Sequence, residues 1–464
     1  MPGHIVVQGG TVVTETGPVR ADLVLAGERI AAITTDASDL DADVRIDATG
    51  LLVLPGGVDV HTHFQEPDPE GVEGLAFGSA GAAAGGITTI VEMPQAGPTT
   101  TTAELFRAKR EQVAAKAIVD VALWAGVIGE PMQDAVELRA MAAEGAAGFK
   151  SFMAASSPGF PRVDDAQLLA AMEVIAPLGL PYGLHAEHDA LLDAGLRRMQ
   201  TAGRTDPLAH AESRPPLVEV LAVHTALFLA ERTGCWLHVC HVASAEALGL
   251  IAAARGRGAR VTCETCPQYL ALDTDDLVRL GGFGRCAPAI RDRAEVEAIW
   301  PSVLDGTVDL VCSDHCGYTA ASKETGRDDI FAAPLGLSGI QTLLPSFFDG
   351  AVVHRGMDLA QFVRQIAANP ARIFGLYPRK GTIAVGSDAD VVLLDPRQSW
   401  EVRGADMLHR QQWTPFEGKT LTGRVVRTIR RGETIYDDAG DGEARLPAAA
   451  GSGRFLPRGY GQET

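Results

Sequence analysis

The hydrophobic pattern at the two ends of the chain differs from that of the middle. Short β-rich runs alternate with glycine turns near the start, as in HIVVQGGTVV and DLVLAGERIAAIT, and the same texture returns late, in SDADVVLLD and GRVVRTIRRG. Runs bounded in this way are typical of hairpins. Because chain termini often lie close together, we expect residues 1–54 and 380–440 to form one small β-sandwich domain.

The middle of the chain alternates short runs that are apolar on both faces with helical stretches rich in Ala, Leu and Glu. Such runs are typical of parallel strands buried on both sides. There are eight: LLVLPGGVDVHTHF, ITTIVEMP, VDVALWAGVI, GFKSFM, YGLHAE, WLHVCHV, RVTCETCP and DLVCSDH. Eight β-then-α units predict an α/β fold with a (β/α)8 TIM barrel over residues 55–379. A doubly wound sheet is the alternative, but no G-x-G-x-x-G follows the first strand.

Composition limits the partners. The chain of 464 residues, with 46% apolar residues and 51 glycines, has ample material for the core of an α/β enzyme. The formal net charge of −19 argues against a nucleic-acid partner and against docking on an anionic membrane. The N-terminus lacks the pattern of a secretory signal, and no run approaches the roughly 20 apolar residues of a membrane span. The sequence therefore predicts a cytoplasmic protein.

Neither the cysteines nor the C-terminal tail carries a chemical motif. Seven cysteines lie between Cys235 and Cys316, an odd number that does not form a disulfide framework in a chain of this length. Cys263 and Cys266 form a C-x-x-C without a second pair at zinc-ribbon spacing, so we interpret them as buried thiols. Residues 441–464, rich in Gly, Ala, Pro and Arg, are expected to form a loosely packed C-terminal extension.

The residues that can carry chemistry lie where the predicted strands end. His61 and His63 are two apart in PGGVDVHTHF, so the period of a strand places both imidazoles on one face. Either histidine alone would be interpreted as structural. Because barrel active sites are built at the carboxyl ends of the strands, the pair favours two ligands of one metal ion.

Lys150 lies within GFKSFM, a strand that should be buried. A buried lysine is costly unless it is paired, deprotonated or covalently changed. Its amine can react with CO₂ to give a carbamate, an anionic group able to bridge two divalent cations. A lysine that reaches solvent at a strand end is the alternative interpretation.

Two more histidines end their own strands, His185 in YGLHAEH and His241 in WLHVCHV. His238 and His241 are three apart and should point to opposite faces, so that only one enters the barrel. We select His241 because it lies closer to the carboxyl end of its strand. Three other histidines compete as candidates, of which the last two are interpreted as surface or packing residues: His188, His210 and His224.

Asp314 ends DLVCSDH, where a carboxylate after a largely apolar run needs a cation or a hydrogen-bond partner. Beside metal ions it can act as both ligand and proton carrier, which makes it the predicted catalytic residue. The neighbouring His315 is either a partner of the ligands or a substrate contact.

Together these positions predict a centre for two divalent metal ions. Imidazole and oxygen ligands suit Zn²⁺, with Mn²⁺, Co²⁺, Ni²⁺ and Fe²⁺ as alternatives by ligand type. Water activated by such cations becomes a nucleophile near neutral pH, and a metal ion also polarises a scissile carbonyl. The predicted ligands are His61, His63, Lys150, His185, His241 and Asp314.

The ordered motifs resemble those of the amidohydrolase superfamily, specifically its cyclic amidohydrolases, over nearly the whole chain. The segments that carry the resemblance are PGGVDVHTHFQEP, AAAGGITTIVEMP, GFKSFM, LHAEH, HVCHVAS, ETCPQYL, CAPAIRD, CSDH and GTIAVGSDADVVLLD. The resemblance implies a barrel with a flanking β-sandwich, an N6-carboxylysine at Lys150 and the other five ligands named above. It also implies a small cyclic amide or ureide substrate and a homo-oligomer, commonly a tetramer.

One branch of this family binds a substrate carboxylate. Dihydroorotases typically have an arginine two residues after the H-x-H and an asparagine after M-P, where this chain has Gln65 and Gln95. Losing a guanidinium that pairs bidentately with a carboxylate weakens such a substrate severely. The resemblance therefore argues against a dihydroorotase.

The other two branches share features with this chain. Hydantoinases usually carry a tyrosine five residues beyond the bridging lysine, where this chain has Ala155, yet Gln268 in CPQYL is hydantoinase-like because allantoinases usually have histidine there. The KSFM loop, CAPAIRD and the long loop after DHC are similar to allantoinases, although Gly317 replaces a proline of many relatives. We expect an allantoinase, which converts allantoin to allantoate, with a hydantoinase or dihydropyrimidinase as the alternative.

Two further expectations come from the resemblance. Substrate amide groups would meet backbone atoms near Ala287, in CAPAIRD, and near Leu335, in APLGL. Some relatives have lost their metal ions and serve as structural proteins in oligomers. All six ligand positions are filled here, which argues against that role.

Overall fold

The computed structural model describes residues 4–66, 72–438 and 444–460. Two sheets are built from strands at the ends of the chain. The first has the order β5-β4-β1-β6, and the second has the order β20-β19-β18-β17-β7-β2-β3. The N-terminal strands are β1 (His4–Gln8), β2 (Thr11–Thr14), β3 (Gly17–Arg20), β4 (Asp22–Ala26), β5 (Arg29–Thr34), β6 (Val44–Asp47) and β7 (Leu52–Pro55). The C-terminal strands are β17 (Val391–Glu401), β18 (Thr420–Arg430), β19 (Glu433–Asp438) and β20 (Ala444–Arg445).

These two sheets pack face to face around one apolar cluster. Val7 and Leu23 of the smaller sheet are buried with Val53, Val391 and Ile429 of the larger one. The predicted β-sandwich is therefore present, and its larger sheet contains strands from both ends of the chain. The domain boundaries at residues 54/55 and 379/380 stay predictions.

The middle of the chain forms a closed parallel barrel. Its nine strand segments follow chain order around the ring, and the last one pairs with the first. They are β8 (Gly57–His63), β9 (Ile87–Glu92), β10 (Asp120–Gly126), β11 (Gly148–Phe152), β12 (Tyr182–His185), β13 (Leu237–Val239), β14 (Val261–Thr265), β15 (Leu310–Val311) and β16 (His315–Cys316). The predicted α/β barrel is confirmed.

Two predicted strands are each divided in the structure. LLVLPGGVDVHTHF contains β7 of the sandwich and β8 of the barrel, and the chain passes between them at Gly56, where an added Cβ would lie 2.1 Å from Thr88 Oγ1. The eighth barrel strand is interrupted between β15, which pairs with β14, and β16, which pairs with β8. Asp314 lies in this gap with φ of 50°, a left-handed backbone that ends regular pairing.

Helices cover the outside of the barrel and complete the expected alternation. Several begin at residues whose side chains accept a backbone N–H, as Asp164 does from Gln167 and Ser244 from Ala247. The first eight are α1 (Gly74–Ala84), α2 (Ala103–Lys116), α3 (Ala135–Ala143), α4 (Asp165–Ile175), α5 (Asp189–Thr201), α6 (Pro207–Ser213), α7 (Pro216–Thr233) and α8 (Ala245–Gly256). The others are α9 (Pro267–Ala271), α10 (Thr274–Leu280), α11 (Arg293–Leu304), α12 (Ala320–Glu324), α13 (Leu343–Phe347), α14 (Leu359–Val363) and α15 (Asn369–Ile373). None of the described helices has the length and apolar character needed to cross a membrane.

The C-terminal extension is not loosely packed, contrary to the expectation from its composition. Phe455 bridges to Val121 at the start of β10, and Leu456 is fully buried. Arg458 Nη1 donates to the carbonyls of Ala147 at 3.0 Å and Ile373 at 2.9 Å. The β-bridge at Phe455, the buried side chain of Leu456 and the arginine donors attach residues 444–460 to the barrel. Residues 441–443 and 461–464 lie outside the described residues.

Candidate active site

The predicted ligands converge at the carboxyl ends of the barrel strands. His61 and His63 end β8, Lys150 lies in β11, and His185 is the last residue of β12. His241 follows β13, and Asp314 lies between β15 and β16. All except Lys150 line one cavity of about 490 Å³.

Three of these side chains form a close group. Asp314 Oδ1 lies 3.3 Å from His61 Nε2 and 3.5 Å from His63 Nε2. One potential ligand atom from each of the three lies within 4.8 Å of the others. Two imidazoles and a carboxylate at this spacing can hold one divalent cation.

A second group adjoins the first. His185 Nδ1 and His241 Nε2 lie 3.0 Å apart, close enough for both nitrogens to reach the same cation. The ring centroids of His61 and His241 lie 5.1 Å apart, so the two groups are in direct contact. His241 Nδ1 is buried and has no hydrogen-bond partner among the described residues.

Lys150 lies beneath both groups in an environment that does not pair its charge. Its side chain is fully buried, and Nζ finds no hydrogen-bond partner in the described part of the chain. The amine lies 4.9 Å from the centroid of the Phe152 ring, and its charge acts on His61, His185 and Asp314. An unpaired buried ammonium is costly, whereas an anionic derivative of this amine would face cations.

The electrostatics of the site favour the forms of these side chains that bind metal ions. Burial lowers the pKa of His61 to about 4 and also lowers the pKa values of His185 and His241, so these rings are neutral at pH 7. Burial raises the pKa of Asp314, but the neighbouring His61 and His63 outweigh it and lower that pKa overall. Neutral imidazoles and an ionised carboxylate are the ligand forms.

Buried carboxylates orient the imidazoles, and sequence reasoning missed them. Glu264 in β14 accepts from His61 Nδ1, which leaves Nε2 with its lone pair toward Asp314. Glu187 accepts from His185 Nε2 at 2.8 Å and is paired with Arg214. A single acid within a buried strand, as in RVTCETCP, is the signal that could have identified Glu264.

His238 corrects the argument from strand alternation. Gly183 pairs with Lys150 in β11 and with His238 in β13, so the side chain of His238 points to the same face as that of Lys150, into the barrel. There Nε2 of His238 lies 3.0 Å from Glu264 Oε2. The strand ends at Val239, and His241 adopts φ of 37°, so the two-residue period no longer applies at His241. Both histidines therefore enter the barrel, and the prediction that only one can do so was wrong.

The other histidines have different environments. His210 is buried and donates through Nε2 to the Cys286 carbonyl at 2.8 Å, and His224 is exposed on α7. His188 precedes α5 as its N-terminal cap residue. His315 Nδ1 accepts from the backbone of Gly339 at 3.2 Å and Ile340 at 3.3 Å, so this ring supports a loop.

Strained backbone is concentrated at the cavity. Among the described residues, five other than glycine have positive φ, and three of them line it: Gln65 (59°), His241 (37°) and Asp314 (50°). Such conformations cost roughly 1–3 kcal/mol each and persist where the surroundings hold them. Ser313 provides part of this support, because its backbone N–H and Oγ donate to Asp59 in β8.

The two predicted substrate contacts lie together on the cavity wall. Ala287 and Leu335 both line it, and Gly336 N–H donates to the Arg285 carbonyl at 3.0 Å, which joins their segments. Lys323 Nζ lies behind this wall and donates to the carbonyls of Arg285 at 3.0 Å, Pro334 at 2.9 Å and Gly336 at 2.8 Å. The fully buried Lys323 therefore sets the spacing of the two segments.

The departures from family patterns have visible places in the structure. Gln65, Gln95 and Ala155 line the cavity, and Gln268 is buried with Nε2 donating to the Ser313 carbonyl at 3.3 Å. An added Cβ at Gly317 would lie 2.3 Å from a carboxylate oxygen of Glu73. The space that a larger residue would need at that position is thus taken by Glu73.

The comparisons with known proteins agree with this geometry. The profile of the amidohydrolase family matches residues 52–435. The chain belongs to the amidohydrolase family. This amidohydrolase is 43% identical to an allantoinase of Rubrobacter xylanophilus over 93% of this chain and 94% of the relative.

Hydantoinases are also similar to this amidohydrolase. It is 37% identical to an L-hydantoinase of Paenarthrobacter aurescens over 98% of both chains. The solved L-hydantoinase (dihydropyrimidinase) of Arthrobacter aurescens superposes with a TM-score of 0.93 at 35% identity, covering 98% of this chain and all of that chain. The resemblance predicted from the motifs is confirmed.

Proposed function

We propose that this amidohydrolase is an allantoinase, which hydrolyses the cyclic amide of allantoin to give allantoate. The observation that carries the proposal is the pair of neutral amides, Gln65 and Gln95, on the cavity wall beside the ligand cluster. An amide both donates and accepts hydrogen bonds, which suits a neutral ureide, whereas a substrate carboxylate is best met by arginine. The 43% identity to an allantoinase supports the same assignment.

The cluster is proposed to hold two divalent metal ions per subunit. Zn²⁺ suits the donor set best, with Mn²⁺, Co²⁺, Ni²⁺ and Fe²⁺ as alternatives. The ligands would be His61, His63, His185, His241, Asp314 and Lys150 after its amine has reacted with CO₂ to give N6-carboxylysine. Three observations fit this assignment: the imidazoles are neutral, His185 Nδ1 lies 3.0 Å from His241 Nε2, and the Lys150 amine has no hydrogen-bond partner among the described residues. When bound, the ions supply Lewis acidity toward the amide carbonyl and activate water.

The protein residues have separate tasks in the proposed reaction. Water adds to the amide carbonyl carbon, and the ionised Asp314 accepts its proton. The ring C–N bond then breaks, and Asp314 returns the proton to the departing nitrogen, so that a carboxylic acid and an N–H are formed. Backbone atoms near Ala287 and Leu335 hold the amide groups during this sequence, and Glu264 and Glu187 keep the imidazoles in one orientation.

A hydantoinase or dihydropyrimidinase activity is the second candidate. The 37% identity to an L-hydantoinase and the TM-score of 0.93 favour it, as does Gln268. A dihydroorotase is disfavoured by Gln65, and a metal-free structural role is disfavoured because all six ligand positions are filled.

Parallel assays distinguish these activities. The purified protein, supplied with bicarbonate and with Zn²⁺, Mn²⁺ or Co²⁺, should be offered allantoin, hydantoin, dihydrouracil and dihydroorotate. We expect kcat/KM to be highest for allantoin. Turnover of dihydroorotate alone would contradict the reasoning from Gln65, and less than about one tightly bound metal ion per chain, without rescue by added metal and bicarbonate, would contradict the metal centre.

The cellular setting follows from the same proposal. We propose a cytoplasmic homotetramer in purine nitrogen salvage, with a small cyclic ureide as substrate and with no nucleic-acid or membrane partner. The net charge of −19 argues against a nucleic-acid or membrane partner, and the family resemblance supports the tetramer. Light scattering of the purified protein measures the oligomeric state.

A further inference from the structure

A second, smaller cavity adjoins the active-site cavity. We call this space of about 140 Å³ the side chamber. Its lining includes Ala155, Arg214 and Arg285, which also line the active-site cavity, so these three residues form the boundary between the two spaces. Because Ala155 contributes only a methyl group, a substituent on a bound ring has room to pass this boundary.

The two arginines on the boundary have donors that the protein does not use. Arg285 donates through Nη1 to the Ala333 carbonyl, and no described residue accepts from its Nη2. Arg214 uses Nε and Nη2 on Glu187, and no described residue accepts from its Nη1. Neither of these two Nη atoms is fully buried, unlike Nε of Arg285, so this boundary can donate to a ligand that carries an oxygen.

The charges of these arginines are only partly compensated. Burial and the nearby charge of Arg214 lower the pKa of Arg285 to about 10. Glu187 pairs with Arg214, whereas no carboxylate of the described residues forms an ion pair with Arg285. An acceptor oxygen placed near Arg285 would therefore be held by a charged donor.

The side chamber is also lined by acceptors. Asp189 and Asp193 of α5 line it together with Leu192 and Leu196. Asp189 accepts from the Ala155 backbone at 3.0 Å and is paired with Arg162 at 2.8 Å. A fully anionic group would meet these carboxylates, whereas a group that has both a carbonyl oxygen and N–H donors complements both the arginines and the aspartates.

We infer that the side chamber is the subsite for a neutral, amide-type substituent of the cyclic substrate, with its carbonyl oxygen toward Arg285 and its N–H groups toward Asp189. The inference rests on the proposed function, since the ureido substituent of allantoin is such a group. One water occupies roughly 30 Å³, so about 140 Å³ accommodates the four non-hydrogen atoms of a ureido group. Arg285 and Ala155 thereby determine specificity without touching the ring amide that is cleaved.

The test compares allantoin with hydantoin, which lacks the substituent, in the metal-loaded enzyme. Ala155→Leu narrows the boundary, and Arg285→Met removes the unused donor. Ser157→Leu is the matched control, because it adds the same side chain to the same loop but lines only the active-site cavity. We expect the ratio of kcat/KM for allantoin to that for hydantoin to fall about tenfold in the first two variants, and to change less than about twofold in the control.

Several results would overturn the subsite. One is an unchanged ratio of kcat/KM for allantoin to that for hydantoin in Ala155→Leu and Arg285→Met. Another is a loss of activity toward hydantoin as large as that toward allantoin, which would assign both residues to the ring site or to folding. If the wild-type enzyme prefers hydantoin-5-acetate to allantoin, the side chamber binds an anionic substituent and not a neutral one. If the wild-type enzyme opens hydantoin but not allantoin, the proposed function fails by itself, and hydantoin-5-acetamide, with its carboxamide, then tests the subsite.

Discussion

At the scale of single residues, Lys150 makes the most demanding prediction. Its amine is fully buried without a hydrogen-bond partner among the described residues, a state that an anionic carbamate between two cations would relieve. We expect Lys150→Ala to lose metal ions and activity, and short-chain carboxylic acids that fill the vacated space to restore part of both.

A matched variant isolates the bridging group from the space it occupies. Lys150→Met removes the amine but fills most of its volume, so the same acids should restore nothing. Metal content and turnover, measured with and without acetate or propionate, decide the matter. Full activity of Lys150→Ala without any additive would exclude a bridging role.

Asp314 is predicted to act more as a proton carrier than as a ligand. In Asp314→Asn an oxygen stays available to a metal ion, but the amide cannot accept and return a proton. We expect kcat to fall by roughly 10²–10⁴, the usual contribution of a positioned acid-base group, while part of the metal is retained. Turnover and metal content should be measured on the same preparation, and a near-normal kcat would remove Asp314 from the proton transfer.

The residues that sequence analysis identified and those it missed differ for a physical reason. A polar side chain at the end of an apolar strand stands out locally, which is how His61 and Asp314 were recognised. Glu264 was missed because its meaning depends on His61, 203 positions away in the chain. His238 was misjudged because strand alternation holds only while the strand continues, and β13 ends at Val239.

At the scale of elements, the loop behind the predicted substrate contacts depends on Lys323. Its three donors satisfy one buried carbonyl, that of Gly336, and two partly buried ones. A buried carbonyl left without a partner costs roughly 1–3 kcal/mol. We expect Lys323→Met to raise KM by about tenfold or more for hydantoin and allantoin alike. The spacing of the Ala287 and Leu335 segments changes in this variant, whereas the proposed metal-ligand side chains keep their positions. Steady-state kinetics give the KM and kcat values.

Arg327→Met is the control for this prediction. It removes the same charge just beyond the same helix, but Arg327 is 74% exposed and its pair with Glu324 lies on the surface. Its kinetics should match the wild type, since exposed pairs contribute little. A large fall of kcat in Lys323→Met with unchanged KM would show that Lys323 does not act through substrate binding.

Strand positions were predictable from the sequence, but the interruption of the eighth barrel strand was not. Runs apolar on both faces indicate buried parallel strands wherever they occur. The break at residues 312–314 depends on hydrogen bonds from Ser313 to Asp59, on the opposite side of the barrel seam. Such contacts form only after the barrel closes, so local pattern carries no sign of them.

At the scale of the whole molecule, one buried ion cluster joins the barrel to the sandwich strands. Lys380 Nζ lies 2.6 Å from Asp120 in β10, 3.0 Å from Asp388 and 2.9 Å from Asp390. Arg431 contacts Asp120 at 3.0 Å, and the backbone of Arg454 in the C-terminal tail donates to the same carboxyl group. The tail is thus part of the folded structure, whereas its Gly- and Pro-rich composition had predicted a loosely packed extension.

Removing the central cation of this cluster should destabilise the protein in a pH-dependent way. Lys380→Met leaves three buried carboxylates with too little positive charge, and breaking such a pair costs roughly 3–5 kcal/mol. Burial already raises the pKa of Asp390 with Lys380 present, and losing the cation raises it further. A carboxyl group whose folded pKa exceeds its unfolded value stabilises the fold at low pH and loses that contribution as pH rises through the folded pKa.

The loss of stability in Lys380→Met, relative to the wild type, should therefore grow between pH 5 and pH 8. Urea denaturation midpoints at equal metal loading measure it, with Lys419→Met as control because Lys419 pairs with Asp276 near the surface. In the wild type the neighbouring carboxylates hold the pKa of Lys380 above its usual value, so its own contribution persists through this range. A deficit that stays constant from pH 5 to pH 8 would mean that the three carboxylates keep their charges without Lys380. Arg379, which pairs with Asp388 at 2.6 Å, and Arg431 would then suffice to hold the barrel and the sandwich strands together.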